Sequence, residues 1–385
     1  MPDVLATRRF LSLLFEEVTA ANRNFRSVDF LRGIAALAVV IFHFKNFGGG
    51  GGDMARTAAD FDHLVLLQWL DPVRQHGALA VMAFWVISGF VFMNIYAGAK
   101  PDGGIFFVRR FARLYPLHLL TLLVIALIQA AAVSILGFSL IYHDNNAWNF
   151  LLHLFMASEW GLEQGLSFNY PIWSVSAEIA IYFIFWAIVR HLPLNLVRLF
   201  LIWLAFEGLA IVAGSNMIVL CGAYFFGGAL TYAVYRLWPS ERRGMLLVFA
   251  AAALALSIVL AVIRSFLPVP LTAWLLPAIG ATLLILTSAE DRRLGAFFKR
   301  TRAVGDITYS SYLWHSPLQM LILFGAALGF WSVDSLLTDG FFILYLVLVC
   351  LVAFASFRWV ERPAQSWILA TFDPAFQRKP LIAAP

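Results

Sequence analysis

Charge is scarce in this sequence. Asp, Glu, Lys and Arg make up 13% of its 385 residues, and 62% are hydrophobic. An ordinary soluble chain is about a quarter charged. With a mean hydropathy of +0.82, a soluble globule is excluded and an all-α, polytopic membrane helix bundle is expected. The net charge of +5 is small and its cations are spread along the chain, which argues against nucleic acid as a partner. Cysteine is nearly missing too. Cys221 and Cys350 both fall in apolar runs and suggest no disulfide framework. No glycine-rich loop follows the Walker or Rossmann pattern, and no GxSxG elbow is present. His63, His76, His118, His143, His153 and His191 lack metal-ligand spacing and read as loop or interface residues, with no metal expected. The apolar run Phe10 to Phe15 is too short for a signal sequence and is followed by Glu16 and Glu17. Without those soluble catalytic devices, any chemistry must sit among the helices.

Apolar stretches of spanning length lie near 29–47, 79–97, 115–137, 172–190, 196–213, 217–235, 245–263, 269–289, 309–330 and 341–360, which predicts about ten transmembrane helices. If the N-terminus is cytoplasmic, all of the 27 Lys and Arg except Lys45, Arg56, Arg74 and Arg264 fall on the cytoplasmic side. The positive-inside rule then sets both termini inside. The expected organisation is a cytoplasmic extension over 1–24, a transmembrane domain over 25–364 and a cytoplasmic tail over 365–385. Two long outer loops are expected. The first, 48–78, opens with the glycine run 48–52, which reads as mobile. The second, 138–171, holds an apolar segment, 147–157, too short to span, which suits an interfacial or re-entrant position.

The residues that could carry chemistry are few. Arg32 and His43 stand eleven apart around an uncharged run. On a helix they share one face, roughly 16 Å apart, with Asp29 one turn from Arg32. Ionisable groups inside a membrane point to function, although Arg32 could mark a helix end and His43 an interface. Between the second and third spans, a loop reading FFVRRFARLYP carries Arg109, Arg110 and Arg113. Arginine forks match phosphate oxygens, so these residues suit either a polyphosphate ligand or plain topological charge. Glu178, about two turns into the fourth span, must pair or be protonated. It could orient a histidine or hydroxyl, or bond a neighbouring helix. Tyr309, Tyr312, Trp314 and His315 cluster near the inner end of the ninth span, where packing is the expected role.

Six stretches in order resemble the acyltransferase-3 family of integral membrane O-acyltransferases: LRGIAALAVVIFHF, FWVISGFVF, FVRRFARLYP, WSVSAE, GDITYSSYLWHSPL and VERPA. The resemblance covers about Phe25 to Ala364. It implies an acyl-CoA donor, with acetyl-CoA expected, taken from the cytoplasm as a substrate and with no permanently bound cofactor. It also implies an extracytoplasmic glycan or glycolipid acceptor, residence in a bacterial cytoplasmic membrane, and essential roles for His43 and Arg32. Arg109, Arg110 and Arg113 would then serve the donor. On this reading His43 acts as general base on an acceptor hydroxyl, with a covalent acyl-histidine as a further option, and Glu178 completes the catalytic group. The rivals are a transporter of a polar solute or lipid-linked glycan, against which no inverted repeat is found, and a non-catalytic partner in polysaccharide export.

Overall fold

The computed structural model describes residues 12–48, 57–214, 216–264, 266–267 and 270–377, the side chains at 58, 59, 292 and 293 excepted. The chain before residue 12, the glycine run after Gly48 and the tail after residue 377 lie outside these described residues. Among them there is no strand. The long helices are α1 (Arg26–His43), α2 (Ala80–Tyr96), α3 (Gly103–Leu136), α4 (Ala147–Leu154), α5 (Trp173–His191), α6 (Leu196–Ala213), α7 (Met217–Leu237), α8 (Arg243–Ile263), α9 (Leu271–Ala289), α10 (Thr308–Ala327), α11 (Asp339–Ser356) and α12 (Arg362–Phe372). Nine helical stretches among the described residues are long and apolar enough to cross a membrane. The ninth expected segment, 309–330, forms α10, which is not among the nine. It has twenty residues, and its buried set includes Ser310, Ser311, His315, Ser316 and Gln319. Polar side chains are tolerated at membrane depth where protein surrounds them.

Two boundaries differ from expectation. The arginine motif is not in a loop: α3 begins at Gly103, where the Asp102 carboxylate accepts from the Ile105 N–H at 3.1 Å. That N-cap starts the helix a dozen residues before the apolar run, so Arg109, Arg110 and Arg113 project from a continuous helix. The chain expected as a tail from 365 begins as α12, joined to α11 through a π-helical turn at Phe357–Glu361.

The chain forms two compact units. The first holds residues 1–32, 81–101 and 177–305. Here α2 and α7 meet backbone to backbone. A Cβ on Gly89 would lie 1.8 Å from the Phe225 carbonyl oxygen, and one on Gly228 would lie 1.9 Å from that of Val86. Only glycine permits this approach. Phe92 stacks on Tyr182 at 4.5 Å and meets Phe225 edge-on at 5.4 Å. The start of α1 is capped from a distance. Glu290 accepts from the backbone N–H groups of Arg26 at 3.2 Å and Ser27 at 2.9 Å, which satisfies two of the donors that a helix start leaves open.

The second unit holds 33–80, 102–176 and 306–385. Its core joins Phe44 and Phe47 to Leu122, Ile125, Met320, Phe342 and Tyr345. The 138–171 segment is folded onto it. Gln129 of α3 donates to the Leu140 carbonyl at 2.7 Å and accepts from its N–H at 2.9 Å. The short apolar segment forms α4, eight residues long. Ile141, Met156 and Phe168 sit at φ of 59°, 53° and 43°, a region that side chains with a Cβ avoid and that costs about 1–3 kcal/mol each.

Candidate functional site

His43 is the last residue of α1 and is partly exposed. Its Nδ1 lies 2.9 Å from the Val39 carbonyl oxygen, one turn back. A carbonyl only accepts, so Nδ1 carries the hydrogen and Nε2 keeps its lone pair. The ring is thereby oriented by its own helix with the basic nitrogen turned away from it. The carbonyl of His43, left over at the helix end, accepts from Gln319 Nε2 at 2.7 Å.

α10 supplies the other wall. The ring of His315 packs against that of His43, centroids 4.8 Å apart. His315 Nδ1 donates to the Tyr312 carbonyl at 2.6 Å, and the Tyr345 hydroxyl donates to the His315 carbonyl at 3.1 Å. Pro317 has no N–H, which deprives Leu313 of its helical partner. Asn169 fills the gap, donating to the Leu313 carbonyl at 3.2 Å and to Thr121 Oγ1 of α3 at 3.2 Å. One side chain of the folded loop thus ties α3 to α10. Tyr142, next to strained Ile141, is buried in this wall, and burial pushes its phenol up, which keeps it neutral.

The arginines form a second locus of the same unit. Arg113 Nη1 pairs with Glu361 Oε1 at 2.8 Å, and Arg109 Nε pairs with Asp373 Oδ2 at 2.7 Å. Glu361 also accepts from Ser310 Oγ at 2.7 Å. The π turn between α11 and α12 is what presents Glu361, a kind of irregularity that recurs at functional sites. The hydrogen bond from Arg109 holds the Asp373 carboxyl below the usual carboxylate range. Arg110 is half-buried on the same helix.

Of the expected site residues, His43, Arg109, Arg110 and Arg113 belong to the second unit, and Arg32 and Glu178 to the first. Arg32 is 3.7 Å from Asp29, with both side chains partly exposed, an ion pair worth little by itself. Glu178 is half-buried on α5, near Cys221 of α7. Two histidines expected at loops or interfaces are interior instead. His118 is fully buried within α3 because that helix starts early, and its Nε2 meets the His153 carbonyl at 2.7 Å. His153 is fully buried and bonds Glu163 at 3.0 Å and Ser167 at 3.1 Å. Asp373, Gln319 and Asn169 are not among the expected site residues, and Glu361 enters the sequence reading only as part of the VERPA stretch. Proline at 317 was the one signal that could have pointed to Asn169, by requiring some donor for a freed carbonyl. Among the described residues, no group of three or more His, Cys, Asp or Glu could hold a metal ion.

The family model Acyl_transf_3, described as an acyltransferase domain, matches residues 25–358. The acyltransferase MdmB of Streptomyces mycarofaciens is 32% identical over 177 residues, 44% of this chain and 41% of its own length. A protein of Komagataeibacter xylinus named as a membrane-bound transacylase, BcsY, is 25% identical over 94% of this chain and 88% of its own. Protein 2 in the picA locus of Rhizobium radiobacter is 34% identical over 27% of this chain and 44% of its own. No solved structure matches.

Proposed function

The chain belongs to the acyltransferase family of that model, and on this premise we propose that it carries an acyl group from cytoplasmic acyl-CoA to a hydroxyl of an extracytoplasmic glycan or glycolipid. Acyl transfer is the common ground with two of its relatives, of which the second is named as membrane-bound. The donor, the acceptor and the sidedness are the proposal. The observation that carries it is the His43 imidazole, whose Nδ1 is committed to Val39 and whose Nε2 is left basic.

In the proposed reaction, His43 Nε2 takes the proton of the acceptor hydroxyl as its oxygen bonds to the thioester carbonyl carbon. The C–S bond then breaks, and the proton passes to the departing sulfur, giving an ester and free CoA. Acetyl-CoA is the expected donor. Its phosphates would meet the α3 face of Arg109, Arg110 and Arg113, where charge-assisted forks suit them. Carboxylates already hold Arg109 and Arg113 in place, which lowers the ordering cost of binding. The pantetheine arm would run from there towards His43. The cation asymmetry of the sequence supports both termini inside, and a bacterial cytoplasmic membrane is the location proposed from the family.

The test uses membrane vesicles carrying the full chain with [acetyl-14C]acetyl-CoA, counting label moved into base-labile ester. His43→Gln keeps size and hydrogen bonding but cannot act as a base. At parental membrane level it should lose a factor of about 10² to 10⁴ in rate. Transfer by His43→Gln at close to the parental rate would remove His43 from the mechanism.

A further inference from the structure

We infer that His315 is a positioning residue for His43: a second imidazole, held neutral, whose negative end stabilises the positive charge that His43 acquires during transfer. This rests on the reading of His43 as general base.

His315 is fully buried on α10. Its Nδ1 is committed to the Tyr312 carbonyl at 2.6 Å, so its hydrogen sits on Nδ1 and its lone pair on Nε2. That Nε2 is buried with no hydrogen-bond partner among the described residues. Buried polar atoms are paired as a rule, and an unpaired one calls for an explanation. Packing alone does not supply it, since an apolar side chain of the same size would pack without the penalty. The explanation lies in the neighbour. The two rings are 4.8 Å apart at their centroids and tilted by 44°.

During transfer, His43 holds two hydrogens between taking the acceptor's proton and passing it to the departing sulfur. For that interval it is an imidazolium. A second charge on the adjacent ring would be strongly repelled in a medium of low dielectric, so His315 remains neutral. As the Nδ1–H tautomer it has its negative pole at Nε2. A fixed dipole beside a charge that develops only in the transition state accelerates the step without reorganising. His315 neither touches the acceptor nor carries the proton. Around the pair stand the phenols and hydroxyls of Tyr312 and Ser316 of α10, Tyr345 of α11 and Tyr142 of the folded loop, none of which bears a formal charge at neutral pH. The one cation whose field acts on His43 is the Lys45 ammonium, two residues on; it opposes a second positive charge there and is common to parent and variants.

The experiment compares the parent with His315→Phe, His315→Asn and His315→Gln in vesicles with [acetyl-14C]acetyl-CoA. Phe keeps the bulk and removes the dipole. Asn keeps the donor facing Tyr312 and removes the distal lone pair. Gln replaces the distal acceptor with an amide oxygen. Phe and Asn should lower kcat at least tenfold, leave the KM for acetyl-CoA within about twofold, and move the acid limb of the kcat–pH profile to lower pH by up to about one unit, the equivalent of a tenfold loss. Gln should recover part of kcat. If Phe is not retained in the membrane, Asn and Gln decide. A variant without the distal acceptor that is inserted at parental level, with parental kcat and pH profile, overturns the inference. His43→Gln is assayed alongside. If it is inactive while the His315 variants are parental, only the role of His315 falls. If it is active, the reading of His43 falls instead.

Discussion

Removing Arg113 should harm the protein more than removing the charge of its partner. The two ends of the pair differ in burial: the Arg113 side chain is 31% exposed and that of Glu361 is 2%. Arg113→Ala leaves a carboxylate in the interior with Ser310 as its remaining hydrogen-bond donor. Breaking a buried pair from one side costs about 3–5 kcal/mol, and the Ser310 bond sets the expected cost near the lower end. Glu361→Gln leaves a neutral acceptor for Arg113 and Ser310, while the guanidinium can still reach water. The cost there is about 1 kcal/mol, that of one weakened hydrogen bond. The double variant, Arg113→Ala with Glu361→Gln, has no stranded charge and should be more stable than Arg113→Ala alone. The expected coupling is about 2 kcal/mol. Thermal inactivation half-lives of the four proteins in one detergent give the ranking without requiring reversible unfolding. An Arg113→Ala protein as long-lived as the parent, or no more fragile than the double variant, would refute the argument. The ranking also bears on function. Donor affinity is best compared in the Glu361→Gln background, where loss of Arg113 no longer strands a charge, so a higher KM for acetyl-CoA there reports binding rather than folding.

Three further outcomes are expected. Gly89→Ala or Gly228→Ala drives a methyl to within 1.9 Å of a carbonyl oxygen and should sharply reduce folded protein. Gly208→Ala, which meets nothing within 4 Å, should be neutral or stabilising by up to about 1 kcal/mol, and size-exclusion recovery distinguishes the two. A cysteine at His143 should react with a membrane-impermeant maleimide from outside intact cells, and one at Glu241 should not; the reverse pattern would invert the topology. Asp373 is held below its usual range by Arg109, so its stabilisation is present above the unfolded value of about 4 and is lost as pH falls through the folded value. Asp373→Asn should therefore be less thermostable than the parent at pH 7, with the gap closing in acid. A gap independent of pH would refute the pairing.

The helical class was plain from composition, because a chain so poor in charge has few other ways to satisfy its backbone in lipid. His43 stood out because a histidine closing an uncharged run is costly there. The pairs that build the site were not legible. Arg113 and Glu361 are 248 residues apart, and His43 and Gln319 are 276 apart. Hydropathy periodicity reports which face of a helix is apolar, not which helix it meets. The early start of α3 is hard to read for a local reason: three arginines within five residues suggest a loop, whereas the Asp102 cap starts the helix before them. The same early start carries His118 into the interior. Counting residues from helix starts put His315 nearer the inner end than His43, and helix packing brought the two rings together.

The carboxylates that fix Arg109 and Arg113 have a consequence for the order of assembly. Glu361 and Asp373 leave the ribosome about 250 residues after the arginines they hold. At typical synthesis rates of about 5–20 residues per second, α3 waits between roughly ten and fifty seconds before these two carboxylates are made. During that interval anionic lipid headgroups are the available counter-ions. A chain that ends before Glu361 has neither carboxylate to hold that face, so the thirteen residues from Glu361 to Asp373 complete a locus begun in the third helix.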